Sequence, residues 1–346
     1  MSSPLRVLAG NTALAHIKQH GLNADDISVM VGASGGPKWF SLYGLDQYLL
    51  GQFFKERTKP LHLLGSSAGA WRFTCYAQQD GVAASARFAK AYSEVTYPKD
   101  ADIRLITQIS QAIIDDVLPE QTHLQQVLNH PVMKLNLIVD RARGINKSSN
   151  KLIQGSGLLL TASANLLNRR LLRHFYQRVH FHVAGETAPF SHQTELPTER
   201  VLLTAENLKA AVIASGAIPM VLEPVTDIAG AGAGRYFDGG ITDYHFNQPF
   251  SDDGLVLYPH FYPELIPGWF DKGLRWRRAN KAYLHNVILL CPSDDWVKSL
   301  PHGKIPDRKD FKLNDHERIR YWQKVLDRSH ELAEAFATGN YRIEPL

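Results

Sequence analysis

The sequence predicts an α/β protein built on a central, mostly parallel sheet with helices on both faces. Two observations carry this. Short apolar runs alternate along the chain with longer stretches of helical periodicity, the signature of strand-helix units. Two of those runs end in glycine-rich turns, a strand-to-helix connection that brings backbone close to a ligand. At 346 residues, with 44% hydrophobic and 21% charged residues, the chain is long enough for one large α/β unit. No internal repeat or low-complexity tract interrupts it.

The elements follow in order. A weak strand candidate covers 5–8, and a firmer one, SVMV, covers 28–31. Apolar runs then place strands over 61–64, 135–139, 180–183, 200–203, 236–238, 255–257 and 287–290. Helices are expected over 38–54, 68–79, 84–95, 103–117, 205–215 and 317–337, where apolar residues recur every three or four positions. The stretch 151–172, KLIQGSGLLLTASANLLNRRLL, is apolar, helix-capable and edged by arginines. It suits a lid or acyl-chain wall as well as a helix packed in the core. A break at 249–254, PFSDDG, separates an expected main unit, 1–250, from a segment 251–346 packed on it.

The run at 61–64 leads into Gly65-Ser66-Ser67-Ala68-Gly69. A serine at the tip of a tight strand-to-helix turn presents its hydroxyl outward, and small residues two positions away keep the elements from colliding. The pattern recurs at Gly32-Ala33-Ser34-Gly35-Gly36, so context must separate the copies. After Gly69 a helix continues at once. After Gly36 stands Pro37, which has no N–H to offer. The Gly65–Gly69 copy therefore reads as the nucleophile turn, with Ser67 ahead of Ser34. The earlier copy reads as a loop that exposes amides to an oxyanion.

Far downstream, RYFDGGITD (235–243) ends a short strand in Asp238-Gly239-Gly240. Alone, this sequence suits a hairpin turn as well as a site. Upstream lies Ala214-Ser215-Gly216-Ala217-Ile218-Pro219 and downstream Asn247-Gln248-Pro249. Together the four segments, SGGPK, GSSAG, ASGAIP and DGG, resemble in order and spacing the patatin-like phospholipase family. The resemblance covers roughly residues 27–249.

The resemblance implies a three-layer α/β sandwich of patatin type and a Ser-Asp dyad without histidine. Ser67 is the implied nucleophile and Asp238 its base. Gly35, Gly36 and Ala68 are the implied oxyanion donors, supported by Gly65, Gly69, Lys38, Gly239 and Gly240. The first loop departs from the family pattern: Ala33 stands for an acid, Ser34 for the first glycine and Trp39 for the last. A rival α/β-hydrolase triad would need a histidine after Asp238, from His245, His260, His285, His302, His316 or His330. Too few strands precede Ser67 for that fold.

Cys75 and Cys291 have no metal-type spacing and read as buried free thiols of a reducing compartment. The N-terminus lacks a continuous apolar core of a signal peptide, and no 18-residue apolar span occurs. A cytoplasmic protein is expected, with no metal and no cofactor. Net charge is +4, with basic residues at Arg169, Arg170, Arg173 and Arg178 and again at Arg275, Arg277, Arg278 and Lys281. The second group interleaves Trp269, Phe270, Trp276 and Tyr283. Segment 269–283 suits either a solvated loop or peripheral contact with the inner membrane face, and no nucleic-acid partner is expected. The expected activity is hydrolysis of carboxylic esters of lipids. A short-chain esterase, thioesterase or polyester depolymerase on the same dyad is the alternative, and a non-catalytic lipid-binding scaffold a further one.

Overall fold

The computed structural model describes residues 3–185, 187–190 and 195–346. Its strands are β1 (Leu5–Ala9), β2 (Ile27–Gly32), β3 (Leu61–Ser66), β4 (Met133–Ala142), β5 (Tyr176–His182), β6 (Thr198–Leu202), β7 (Val225–Thr226), β8 (Arg235–Asp238), β9 (Leu255–Pro259), β10 (Val287–Pro292) and β11 (Ile343–Pro345). Its α-helices are α1 (Asn11–His20), α2 (Tyr43–Tyr48), α3 (Ala68–Tyr76), α4 (Gly81–Glu94), α5 (Ile103–Val117), α6 (Gln121–Asn129), α7 (Lys151–Leu167), α8 (Leu208–Ser215), α9 (Asp294–Ser299) and α10 (Asp315–Thr338).

One sheet runs β11-β1-β10-β9-β2-β3-β4-β5-β6, and β7 and β8 branch from β4. The core pairs β10-β9-β2-β3-β4 are parallel, and helices cover both faces. This explains the unbroken apolar runs: β3 and β10 are buried at every position, so neither alternates polar with apolar. Residues beyond 250 do not simply lie on the main unit. They supply β9 and β10, which sit between β1 and β2.

The strand expectations fall on observed strands, and three differences, two in strands and one in a helix, are instructive. β5 starts at Tyr176 rather than 180 because buried Arg178 breaks the apolar pattern. β7 and β11 are two and three residues long, too short to show a period. The expected helix 38–54 is divided into a tight turn (Gly36–Leu42), α2 and a wide turn (Leu49–Phe53). Within it, Asp46 is wholly buried, accepting from Arg72 Nε at 2.8 Å and from the Tyr76 hydroxyl at 2.8 Å, which ties α2 to α3. Helices α1, α6 and α9 add to those expected from the sequence.

Stretch 151–172 forms α7 and a following turn, Arg169–His174. It is not a core helix, since Leu152, Leu159 and Leu167 face solvent.

Glycines decide how closely α3 approaches the sheet. A methyl group on Gly69 would sit 1.9 Å from the Gly32 carbonyl oxygen at the end of β2. The Gly69→Ala substitution should therefore destabilise the fold by about 1–3 kcal/mol, by forcing strand and helix apart. Gly155, in the middle of α7 with open space around it, should behave oppositely. Gly155→Ala should stabilise by roughly 0.5–1 kcal/mol. Urea unfolding of both variants checks the pair.

Candidate active site

The site is assembled where β3 ends. Ser67 adopts φ 52°, ψ −124°, a left-handed conformation that is costly for a non-glycine residue. Its amide is held by a neighbour: Ser67 N donates to Ser215 Oγ at 3.0 Å, and Ser215 Oγ donates to the Ile138 carbonyl at 2.7 Å. Ser215, the serine of the ASGAIP segment, thus clamps the turn to β4. Gly65 leaves room for the first turn of α3, because a methyl there would lie 2.7 Å from Ala70 N.

Strand β4 brings in the second residue. Ser66 pairs with Ile138, and there β3 stops. Antiparallel β8 takes over the same edge, with Asp238 opposite Val139. Ser67 and Asp238 lie 171 residues apart in sequence, yet Ser67 Oγ donates to Asp238 Oδ2 at 2.7 Å. Gly240 N donates to Oδ1 at 2.7 Å, fixing the carboxylate plane. Burial raises the Asp238 pKa above its ordinary value, and the bonds from Ser67 and Gly240 oppose that rise. Gly239 is required because a methyl there would sit 2.1 Å from the Ile138 carbonyl.

The loop after β2 forms the facing wall. Gly36 has φ +56°, and a side chain on Gly35 would run into the Phe261 ring at 2.5 Å. Gly36 and Ala68 open the turn Gly36–Leu42 and α3, so their N–H groups have no intrahelical acceptor. Ser34 holds this loop in place. Its N–H donates to the Tyr244 carbonyl at 2.9 Å, and its hydroxyl lies 2.8 Å from Ser66 Oγ, which itself donates to the Asp243 carbonyl at 2.6 Å.

Two cavities meet at Ser67. One, about 330 Å³, is lined by Gly35, Lys38, Ser67, Asp238 and Gly240, together with Lys272 and Arg308. The other, about 550 Å³, runs under Ala68 and is walled by Trp71, Phe88, Tyr92, Ile113 and Phe311. Among the described residues no histidine lines either cavity. His245 and His260 pack against each other in the interior, with ring centroids 4.2 Å apart, and burial drives both pKa values down.

Sequence reasoning missed Trp269, Lys272 and Arg308 as cavity residues, since no spacing links them to Ser67. Among the described residues none of Lys38, Lys272 and Arg308 forms an ion pair. The Lys272 ammonium lies 3.9 Å from the centre of the Tyr244 ring. Desolvation there, and then repulsion from Arg308 and Lys38, push its pKa down to about 7 although the residue keeps solvent contact. Burial lowers Lys38 as well. In segment 269–283 only Asp271 is buried; Trp269 lines both cavities, and Arg277 donates to Asp271 at 3.1 Å. Lys272, Arg275, Trp276 and Lys281 are exposed.

Beneath the Asp238 loop, Arg178 is no surface charge. It is buried and donates to both Asp243 oxygens, at 2.6 and 2.9 Å. Thr242 joins this pair to Asp140, donating from its N at 2.9 Å. Burial, and then the nearby Asp243 carboxylate, push Asp140 well up. Cys75 and Cys291 are buried free thiols. Among the described residues, no group of three or more His, Cys, Asp or Glu is placed to hold a metal ion, and no helix is long and apolar enough to cross a membrane.

A sheet flanked by helices, with a serine turn beside a buried carboxylate, defines an α/β protein with a hydrolase-like centre. The patatin-like phospholipase family model matches residues 30–245, more than half of the chain. The chain belongs to the patatin-like phospholipase family, whose members are lipid acyl hydrolases. Two solved structures show a distant likeness. VipD from Legionella pneumophila is 14% identical with a TM-score of 0.32, over 75% of this chain and 53% of that one. Human GIVD cytosolic phospholipase A2 is 10% identical with a TM-score of 0.41, over 95% of this chain and 62% of that one. The chain thus spans less than two thirds of either protein. No curated protein matches it.

Removing the Arg178 guanidinium takes from buried Asp243 the counter-charge that donates to both of its oxygens. Arg178→Met should cost about 3–5 kcal/mol. Ser215→Ala, which strands one amide and one carbonyl, should cost about 1–3 kcal/mol. Chemical denaturation of the two variants tests both values and their order.

Proposed function

We propose that the chain is a serine acyl hydrolase that cleaves carboxylic esters of lipids through Ser67 and Asp238. The observation that carries this reading is the 2.7 Å bond from Ser67 Oγ to Asp238 Oδ2 at the meeting of a cationic and an aromatic cavity. A serine hydroxyl needs a base to become a useful nucleophile, and Asp238 is the base within reach. Its burial raises its proton affinity, which suits the task, because a base of ordinary carboxylate pKa is too weak.

In this mechanism Asp238 takes the Ser67 proton as Oγ attacks the acyl carbon. The oxyanion that forms faces the N–H groups of Gly35, Gly36 and Ala68. Collapse breaks the ester C–O bond, and the leaving alkoxide takes the proton from Asp238. Water then attacks the acyl-enzyme with Asp238 again as base, releasing the carboxylic acid and restoring Ser67. The aromatic cavity offers the acyl chain a dry wall. Lys38, Lys272 and Arg308 offer an anionic head group its counter-charges. The volume and apolar walls of the first favour a long acyl group over the short-chain, thioester and polyester substrates of the alternative reading. Two buried free thiols fit the reducing, cytoplasmic setting that this reading includes, with peripheral contact at the inner membrane face.

Labelling with a fluorescent fluorophosphonate tests the chemistry. Label should be lost in Ser67→Ala and kept in Ser34→Ala, and Asp238→Asn should label weakly. Equal labelling of Ser67→Ala and parent defeats the proposal. The pH dependence supplies a second check. Asp238 must be ionised to act, so kcat/KM should fall as pH drops through a midpoint above about 3.9, the value for free aspartate. Lys272 is charged below about 7, so the KM of an anionic ester should rise as pH passes upward through that value. Lys272→Met should flatten this upper change while leaving the acid limb in place.

A further inference from the structure

Helix α7 is built inside out. Its buried positions, Gln154, Gly157, Thr161 and Asn165, recur every three or four residues and are polar or small. They seat the helix by hydrogen bonding and close approach. Asn146 Nδ2 donates to Thr161 Oγ1 at 3.0 Å, Asn165 Nδ2 donates to Asp271 Oδ1 at 2.7 Å, and a methyl on Gly157 would lie 2.1 Å from Asn146 Oδ1. The opposite face is aliphatic and open. Leu152, Leu159 and Leu167 are 83%, 72% and 80% exposed, with Ile153, Leu160 and Leu166 beside them. Leu152, Leu159 and Leu166 recur every seven residues, as do Ile153, Leu160 and Leu167, so at 100° per residue the six form one stripe. An exposed patch of this kind marks an interaction surface.

Charge selects the occupant. No charged residue lies between Lys151 and Arg169, so the stripe itself is uncharged. Its ends are basic: Lys147 and Lys151 at one, Arg170 and Arg173 at the other, all four exposed. Arg277, bonded to the Leu166 carbonyl, brings exposed Arg275 and Trp276 to the second end. A second copy stacked on this helix, parallel or antiparallel, would set basic ends against basic ends. An anionic lipid leaflet meets both the apolar stripe and the basic rim.

We propose that α7 docks the protein in the plane of an anionic membrane, its leucine stripe in the acyl boundary and its basic ends among the headgroups. The helix is tied through Asp271 to the turn that carries Trp269, and Trp269 lines both cavities.

The test is sedimentation with vesicles of phosphatidylcholine alone or mixed with phosphatidylglycerol. The full chain carries Ser67→Ala, so no lipid is consumed and the outcome does not depend on the proposed chemistry. The protein should pellet with the mixed vesicles and far less with the neutral ones. Adding Leu152→Ser, Leu159→Ser and Leu167→Ser should weaken binding about tenfold or more with an unchanged circular dichroism melt. Lys151→Gln with Arg170→Gln should reduce the preference for the anionic lipid. Undiminished pelleting of the triple variant, or no pelleting of the parent, overturns the proposal. A parent that is dimeric by ultracentrifugation, and made monomeric by the serines without a change in vesicle binding, assigns the stripe to self-association instead.

Discussion

One edge of β4 is shared end to end by two strands, and the candidate site depends on that. β3 runs parallel to it as far as Ile138 and then turns away at Ser67, and β8 occupies the next position, Val139, from the opposite direction. A strand that stops must leave unpaired backbone on its neighbour unless something replaces it. Here the replacement is the strand that ends in Asp238. The hydrogen-bonding needs of a single strand thus fix the separation of two side chains from distant parts of the sequence. The Ile138 carbonyl adds a further constraint, since it accepts from Ser215 Oγ and lies too close to Gly239 for any side chain there.

The turn that results is strained, and its surroundings hold it. Ser67 remains at φ 52° because its amide is bonded to Ser215, its hydroxyl to Asp238, and α3 is locked against β2 by the contact of Gly69 with Gly32. Below, Arg178 and Asp243 anchor the other side of the Asp238 loop in the interior. A buried ion pair is a poor source of stability compared with apolar packing. What this one does is hold a loop whose position the Ser67–Asp238 bond requires.

The parts of the structure legible in the sequence are those governed by local rules. GSSAG names its own turn, because glycine at 65 and 69 is what a strand meeting a helix at close quarters demands. The fully buried strands announce themselves as apolar runs. Ser215 and Arg178 were hidden for a different reason, since each looks locally like something ordinary: a small residue at a helix end, and one arginine in a basic group. Their meaning comes from partners more than 60 residues away. Helix α7 misleads in the same way. Its apolar character is plain, but composition alone does not say whether leucines face the core or the solvent. The polar face that seats it becomes meaningful only once Asn146 and Asp271 are seen opposite it.

The proposed chemistry lies within the family-matched stretch, and part of the proposed binding wall lies beyond it. Ser67, Asp238 and the glycine loop all fall within the 30–245 stretch that matches the family. Lys272, Arg308 and the Phe311 wall fall after it, and the last two belong to one short turn, Arg308–Lys312, that reaches both cavities. That turn is held by Asp310, which closes a capping box with Asp307 and accepts from Trp322 of α10 at 3.2 Å. α10 in turn packs along α2, where Gly44 N donates to Ser329 Oγ at 2.7 Å. A path of contacts therefore runs from the helical layer to cations and aromatics that line the two cavities. Substitutions along Arg308–Lys312 would alter the cavity walls without touching the serine, because among the described residues none in this turn hydrogen-bonds to Ser67 or Asp238.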